Sequence, residues 1–288
     1  MPTKLGQNFL RDKKVLEKII TAADLKSDDF VIEIGPGEGV LTEELAKKCQ
    51  KVVAVEIDKN LVKLLRNKFS NQKNVEIINE DVLKVNLAEL VPHPLTPSPK
   101  TGRGWTREAR TDEGVYKVIA NLPYYITSPI IRLFLESETP PQEMILLVQK
   151  EVAERIVAGP GKMSLLAVSV QYYARPELLF CVNKSAFFPI PEVDSALLKI
   201  VPYCSSPFSG RGGREATGEG EFRKKFFRTV RTGFSAKRKT LLNNFSSSFH
   251  LDKTEVEEKL KKVPLSGTAR AQELNMDEWK KLALIFSK

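Results

Sequence analysis

Apolar and polar positions along this chain change period in a regular order. Residues 13–23 place Val15, Leu16, Ile19, Ile20 and Ala23 at helical spacing, which predicts a helix. Residues 30–34 are a continuous apolar strand interrupted only by Glu33, and 40–49 read as an amphipathic helix. A second strand over 51–55, a helix over 61–69 and a third strand over 75–79 follow. The apolar run Val118-Ile119-Ala120 reads as the end of another buried strand. Helices are predicted over 129–135 and 149–156 with a strand at 144–148 between them, then a helix at 165–173. Residues 178–182 and 196–201 look like a closing antiparallel pair. Strands alternating with helices predict an α/β fold on a mainly parallel sheet.

Two segments break the pattern. Residues 92–114 hold Pro92, Pro94, Pro97 and Pro99, then Gly102 and Gly104, and have no periodicity. Residues 205–220 are similar, and the two share Ser-Pro-x-x-Gly-Arg-Gly, at 98–104 and at 206–212. Such self-similarity in structureless segments looks like insertion of related sequence. The functional alternative is a pair of basic RNA-contacting loops.

Beyond Phe222 the composition changes. Arg223 to Lys239 carries eight Lys/Arg and no Asp/Glu, with Phe226, Phe227, Val230 and Phe234 interleaved at helical spacing. This predicts a basic amphipathic helix, broken near Gly233, and the charge suits a phosphate backbone. A merely solvated charged face is the plainer alternative. Helices over 254–262 and 276–286 complete a small C-terminal helical region.

Composition narrows the partner class. The 288 residues are 42% hydrophobic and 28% charged, with net charge +9, which describes a globular protein suited to a polyanion. No apolar run approaches the length of a membrane span, and the first residues lack a signal peptide's apolar core. Three scattered cysteines (Cys49, Cys181, Cys204) fit a reducing compartment, and with two histidines no metal site is expected.

The candidate chemistry sits at strand ends. Gly35-Pro36-Gly37-Glu38-Gly39 lets a backbone approach a ligand and opens a helix whose free N–H groups face it. Glu56 ends the second strand, where a carboxylate accepts both ribose hydroxyl protons of a nucleoside. Asp81, past the third strand, can accept an adenine amino group, with Val82 against the ring. The spacing also allows NAD. The loop is not G-x-G-x-x-G, however, so an adenosine ligand carrying an amino acid fits better.

Asn121-Leu122-Pro123-Tyr124 then forms a stiff turn at the carboxyl end of a strand. It suits methylation of an exocyclic amine. The Asn121 side-chain oxygen and the Leu122 carbonyl can hold the amino hydrogens, and the Tyr124 ring can stack on the base. The ring, not the hydroxyl, is the expected working part. The plain alternative is a β-turn whose Asn bonds its own backbone, with Tyr124 in the core. Two prolines in the loop 187–195 would fix the Phe187 ring, for which ordinary core packing is the default.

Together these residues resemble the small-subunit ribosomal RNA adenine N6,N6-dimethyltransferase family. The matching stretches are Leu5-Gly-Gln-Asn-Phe-Leu10, Glu33-Ile-Gly-Pro-Gly-Glu-Gly39, Val55-Glu-Ile-Asp58, Glu80-Asp-Val-Leu83 and Asn121-Leu-Pro-Tyr124, with Gln149-Lys-Glu-Val-Ala-Glu-Arg155, the 187–195 loop, Phe234-Ser-Ala-Lys-Arg-Lys-Thr-Leu241 and Arg270-Ala-Gln-Glu-Leu274. The resemblance runs nearly end to end, the two insertions excepted.

It implies a Rossmann-like, seven-stranded class I methyltransferase domain over 1–202 that uses S-adenosyl-L-methionine, with the insertion 92–114. A linker over 203–220 and a helical RNA-binding domain over 221–288 follow. It also implies that Asn8 and Leu10 close over the cofactor and that Gly35, Pro36, Gly37 and Gly39 line its methionine end. Glu56 would hold the ribose, with Asp81 and Val82 on the adenine. Asn121, Leu122, Pro123 and Tyr124 would form the catalytic turn, with Phe187 as a second stacking ring.

The implied substrate is a pair of adjacent adenosines in the 3′-terminal hairpin of small-subunit rRNA, in an immature subunit. Each receives two methyls, from a monomeric cytoplasmic enzyme. One departure is that the family's paired arginines stand here as Lys237-Arg238, which loses one bidentate fork. The insertion at Pro92 is another, just before the catalytic strand. The macrolide-resistance enzymes, which methylate one large-subunit rRNA adenine, share the fold and turn. A non-catalytic assembly or transcription factor and a small-molecule methyltransferase are the remaining alternatives.

Overall fold

The predicted alternation is realised as a seven-stranded sheet, in a computed structural model that describes residues 8–91, 116–203 and 217–286. In chain order its first half contains β1 (Phe9–Leu10), α1 (Lys13–Ala22), β2 (Phe30–Ile34), α2 (Val40–Ala46), β3 (Lys51–Glu56), α3 (Lys59–Lys68), β4 (Val75–Asn79) and α4 (Leu87–Leu90). Then come β5 (Lys117–Asn121), α5 (Thr127–Leu135), β6 (Glu143–Gln149), α6 (Lys150–Ile156), α7 (Leu165–Tyr173), β7 (Ala174–Val182), β8 (Phe187–Phe188) and β9 (Ser195–Pro202). Four helices complete the chain: α8 (Thr217–Gly233), α9 (Leu241–Phe249), α10 (Lys253–Leu260) and α11 (Met276–Ile285). The insertion 92–114 and residues 205–216 of the second lie outside the described residues. The last residues expected as loop there, 217–220, are the first turn of α8.

The sheet order is β4-β3-β2-β5-β6-β9-β7. The first five strands are parallel, and β9 is antiparallel to both β6 and β7. Val31, Ile32, Val52, Val118, Ile119, Ile145 and Leu146 are fully buried. Parallel strands covered on both faces carry continuous apolar runs, which is why these segments do not alternate. The order reverses direction at β2, which pairs with β3 on one side and β5 on the other. Ligands of open α/β sheets bind at such a switch point, outside the carboxyl ends of the strands.

A buried charge cluster pins the opposite ends. The Lys117 side chain, 6% exposed, is 3.1 Å from Asp29 Oδ2 and 3.0 Å from Glu143 Oε1. Its ammonium also donates to the carbonyls of Ala23 and Asp24, each at 3.0 Å. Lys199 on β9 holds the other Glu143 oxygen at 2.6 Å. Burial works against the Lys117 charge, and the Glu143 and Asp29 carboxylates outweigh it, so its pKa is raised. One cation thus ties the start of β5 to the segment before β2 and to the start of β6.

The chain divides into one compact unit of residues 1–153 and 174–204 and a second of 154–173 and 205–288. The boundary expected at 202 differs from this, because 154–173 falls in the second unit. The reason is burial. Met163, Ala167, Val168 and Tyr172 belong to the hydrophobic core that Phe226, Val230, Phe245, Leu260 and Trp279 build. The Tyr172 ring lies 4.5 Å from that of Phe226.

Within this unit α8 turns Phe226 and Val230 inward and exposes Arg223, Lys224, Arg228 and Arg231. It stops at Gly233, where a Cβ would run into the Trp279 ring. Asn244, buried, donates to the Gly233 carbonyl at 2.6 Å and to that of Ala236 at 3.2 Å. Lys237, Arg238 and Lys239 follow on an exposed turn.

The Lys117 cluster yields a stability prediction. Lys117→Met leaves two buried carboxylates without their shared cation, so it should cost about 3–5 kcal/mol, the range for breaking a buried pair from one side. Chemical denaturation checks this, and a decrease under about 1 kcal/mol, the size of an exposed pair, would show that Lys199 alone neutralises the site.

Candidate functional site

Four strands end on one cavity of about 370 Å³. β2 delivers Glu33 and Ile34 with the loop Gly35-Pro36-Gly37-Glu38, β3 delivers Glu56, the segment after β4 delivers Asp81 and Val82, and β5 delivers Asn121 to Tyr124. Asn8, Phe9 and Leu10 of the N-terminal arm line it as well. The cavity therefore gathers Asn8, Leu10, Gly35, Pro36, Gly37, Glu56, Asp81, Val82 and the Asn121–Tyr124 turn, all singled out from sequence.

The glycine loop has φ above zero at Gly35 (65°), Gly37 (59°) and Gly39 (76°), a region that side-chain-bearing residues avoid. Their uses differ. A Cβ on Gly37 would come within 2.9 Å of the Phe9 ring. On Gly39 it would meet Leu65 at 2.7 Å and Phe69 at 2.8 Å, both outside the cavity. Gly39, expected along the cofactor, is not among the cavity-lining residues and stands against Leu65 and Phe69 of the α3 region. Phe9 lies in the matching stretch 5–10 without a role assigned to it there; its place beside Gly37 depends on the pairing of β1.

That pairing is antiparallel to β8, with Phe9 opposite Phe188 and Leu10 opposite Phe187. Arg11 clamps the arm to the glycine loop through two bonds to Glu38, at 2.7 and 2.9 Å. The Asn121 amide nitrogen donates to the Asn8 carbonyl at 3.0 Å, which leaves the Asn121 side-chain oxygen as an acceptor. The Leu122 N–H is held by the Leu147 carbonyl at 3.1 Å.

Phe187 is not brought to the cavity. It is 3% exposed and packs in the core with Leu10, Leu16 and Ile19, whereas Phe188 is 65% exposed. Successive strand residues face opposite ways, and the register with Leu10 turns Phe187 inward. Phe187, expected as a second stacking ring, is not among the cavity-lining residues, although Leu10, Leu16 and Ile19 of its core cluster are. Tyr124 is half-buried and lines the cavity. Its hydroxyl, to which the sequence assigns no role, lies 3.0 Å from Ser195 Oγ. Burial raises its pKa, and the Ser195 bond opposes that.

Electrostatics centre on two buried acids. Glu56 accepts the Gly37 N–H at 3.3 Å and the Asp58 N–H at 2.9 Å. Burial raises its pKa, and those backbone donors work against the rise. Glu33 is 1% exposed, and its Oε2 has no hydrogen-bond partner. Burial, with the nearby Glu56 charge adding to it, pushes its pKa up to about 8 against the opposing Thr42 hydroxyl and Lys68. In the sequence Glu33 is only a polar break in a strand. Asp81 Oδ1 accepts the Leu83 N–H at 3.1 Å, which orients the carboxylate.

The arrangement brings carboxylate acceptors, apolar side chains and an amide-and-ring turn to one cavity. Comparison with known proteins agrees with it. The family model of ribosomal RNA adenine dimethylases matches residues 1–288. A ribosomal RNA small subunit methyltransferase A from Dehalococcoides mccartyi is 42% identical over 98% of this chain and 87% of its own length. Its namesake from Caldanaerobacter subterraneus is 42% identical over 97% and 95%.

Among solved structures, a dimethyladenosine transferase from Plasmodium falciparum superposes with TM-score 0.70 at 26% identity, covering 95% of both chains. The 23S rRNA methyltransferase ErmE gives TM-score 0.70 at 26% identity over 98% of this chain and 100% of its own. With a family match over every residue and relatives above 40% identity, this chain belongs to the ribosomal RNA adenine dimethylase family.

Proposed function

We propose that the protein transfers methyl groups from S-adenosyl-L-methionine to N6 of two adjacent adenosines in the 3′-terminal hairpin of small-subunit rRNA, giving N6,N6-dimethyladenosine. The observation that carries this reading is the Asn121 turn, held by the Asn8 and Leu147 carbonyls, on the same cavity as Glu56 and Asp81. The small-subunit relatives favour this substrate over the large-subunit adenine of the ErmE-like alternative. On this reading the enzyme acts as a cytoplasmic monomer on an immature small subunit.

The residues present fit the cofactor. Glu56 would take the ribose hydroxyls, Asp81 the adenine amine and Val82 one ring face. The unpartnered Glu33 oxygen suits the ammonium of an amino-acid group, with Gly35 and Gly37 giving backbone access. Bound there, the sulfonium supplies an electrophilic methyl. The adenine N6 lone pair is delocalised into the ring and needs help to become tetrahedral. The Asn121 oxygen and the Leu122 carbonyl accept its hydrogens as it does so, and Tyr124 stacks on the base. The N6 proton leaves to solvent once nitrogen is alkylated. A loop adenine costs little to splay out, which aids selection. Arg223, Lys224, Arg228, Lys237 and Arg238 would meet the RNA backbone.

The turn and the basic helix are separable by mutation. Asn121→Ala should lower kcat by about 10²–10³ and accumulate N6-monomethyladenosine, with RNA affinity nearly unchanged. Mass spectrometry of a methylated hairpin reads this, and parental dimethylation would sink the mechanism. Replacing Arg223, Lys224, Lys237 and Arg238 by Gln should flatten the salt dependence of RNA binding, by roughly 0.7–0.9 in slope for each phosphate no longer neutralised. An unchanged slope would make the charge run a solvated face.

Glu33 gives a pH-dependent outcome. Its folded pKa of about 8 lies above the ordinary value of 4.5, so the folded state favours the protonated form. The penalty on the charged form is absent below the lower value, grows as pH rises between the two and is complete above the higher. Glu33→Gln should therefore stabilise the cofactor-free protein by on the order of a few kcal/mol near pH 8 and little near pH 4, while weakening cofactor binding. Equal stability of parent and variant at both pH values in denaturation curves would show that Glu33 is not a charged group held without a partner.

A further inference from the structure

We propose that Ser195 is a positioning residue for methyl transfer, which acts through its hydrogen bond to the Tyr124 hydroxyl and fixes the ring on which the target adenine stacks. The inference rests on the reading above and deepens it. A stacking face needs only a ring, and a phenylalanine would supply one. The chain instead carries a tyrosine whose hydroxyl ends 3.0 Å from a serine 71 residues away.

The two ends of the Tyr124 side chain are held by different parts of the sheet. Its backbone belongs to the short turn Tyr124–Ile126, closed by the Ile126 N–H on the Pro123 carbonyl at 3.2 Å. That turn lies between the end of β5 and the start of α5. Ser195 stands within the sheet. It is wholly buried at the start of β9, opposite Gln149 on β6 and Val182 on β7. The preceding residue is also tied, since the Asp194 carbonyl accepts the Lys150 N–H and its carboxylate the Lys184 N–H, each at 3.0 Å. The hydroxyl bond therefore ties the turn after β5 to the start of β9, two strands away in the sheet.

The demand on the ring differs between the two methylations. In the first, N6 offers two hydrogens to the Asn121 oxygen and the Leu122 carbonyl. In the second it offers one, and a methyl occupies the other place. Hydrogen bonding then orients the base less, so stacking on a fixed ring must orient it more. A freely rocking ring should slow the second transfer selectively. A bond that only satisfies a half-buried hydroxyl would affect stability and leave the ratio of products alone.

The test is a double-mutant cycle on unmethylated immature small subunits, with Tyr124→Phe, Ser195→Ala and their combination, read as single-turnover rates of each methylation of the rRNA. Each single variant should slow the second methylation about threefold to tenfold, the range for one neutral hydrogen bond. The second should fall further than the first, so N6-monomethyladenosine accumulates. The double variant should be no slower than the slower single, because both remove the same bond. Ser195→Thr, which keeps a hydroxyl, should restore the parental product ratio. If Ser195→Ala fails to fold, Tyr124→Phe carries the test alone, since it leaves the serine in place.

Parental product ratios in Tyr124→Phe, or rate effects that add in the double variant, would overturn the proposal. Were the parent to make no dimethyladenosine on this RNA, the functional reading itself would fall, and the inference with it; an active parent with an unaffected Tyr124→Phe would remove the inference alone.

Discussion

The site depends on β2 having a parallel neighbour on each side. Parallel strands must be joined by crossovers, and the chain covers first one edge of β2 and then the other. The helices that follow β2 and β5 leave in different directions, and a crevice opens between them at the carboxyl ends. Four of the segments that line the cavity are ends of strands for that reason. The glycine loop follows β2, Glu56 ends β3, Asp81 follows β4, and the Asn121 turn ends β5. At the other end of the same strands the Lys117 cluster ties β5 and β6 to the segment before β2, so register is enforced away from the chemistry.

A second constraint comes from the arm. Two residues of β1 are a marginal strand by themselves, and they are held by side chains as well as by pairing. Arg11 reaches the glycine loop, Asn8 supplies a carbonyl to Asn121, and Phe9 fills the space that Gly37 leaves without a Cβ. The arm, the loop and the Asn121 turn are thus one connected set of interactions, which fixes the orientation of the Asn121 amide.

The cavity also stores electrostatic tension. Two carboxylates are buried near one another, one of them satisfied by backbone donors and the other short of a partner. An unfilled acceptor in a buried site is costly unless a ligand completes it. Glu33 is therefore held in the protonated form more readily than an exposed carboxyl, at a cost to the charged form.

Local patterns in the sequence carried the strand ends and the catalytic turn. Continuous apolar runs marked the parallel strands, and the acids and glycines that end them were visible because strand ends are local features. The Asn121 turn was legible because proline dictates backbone geometry wherever it occurs. What the tertiary structure decided were matters of direction and distance. Phe187 and Phe188 are chemically alike, and only the register with Leu10 sends one into the core and the other outward. Gly39 looks like its neighbours until Leu65 and Phe69 stand beside it. The helix over Leu241–Phe249 contains three consecutive serines, poor helix formers, and exists because Thr240 caps it and Leu241 and Phe245 are buried. Residues 154–173 join the second unit through core packing with residues far away in sequence. The bond between Tyr124 and Ser195 spans two strands that only the sheet brings together. Periodicity within a segment is written in that segment. Which face meets which partner is set by residues elsewhere in the chain.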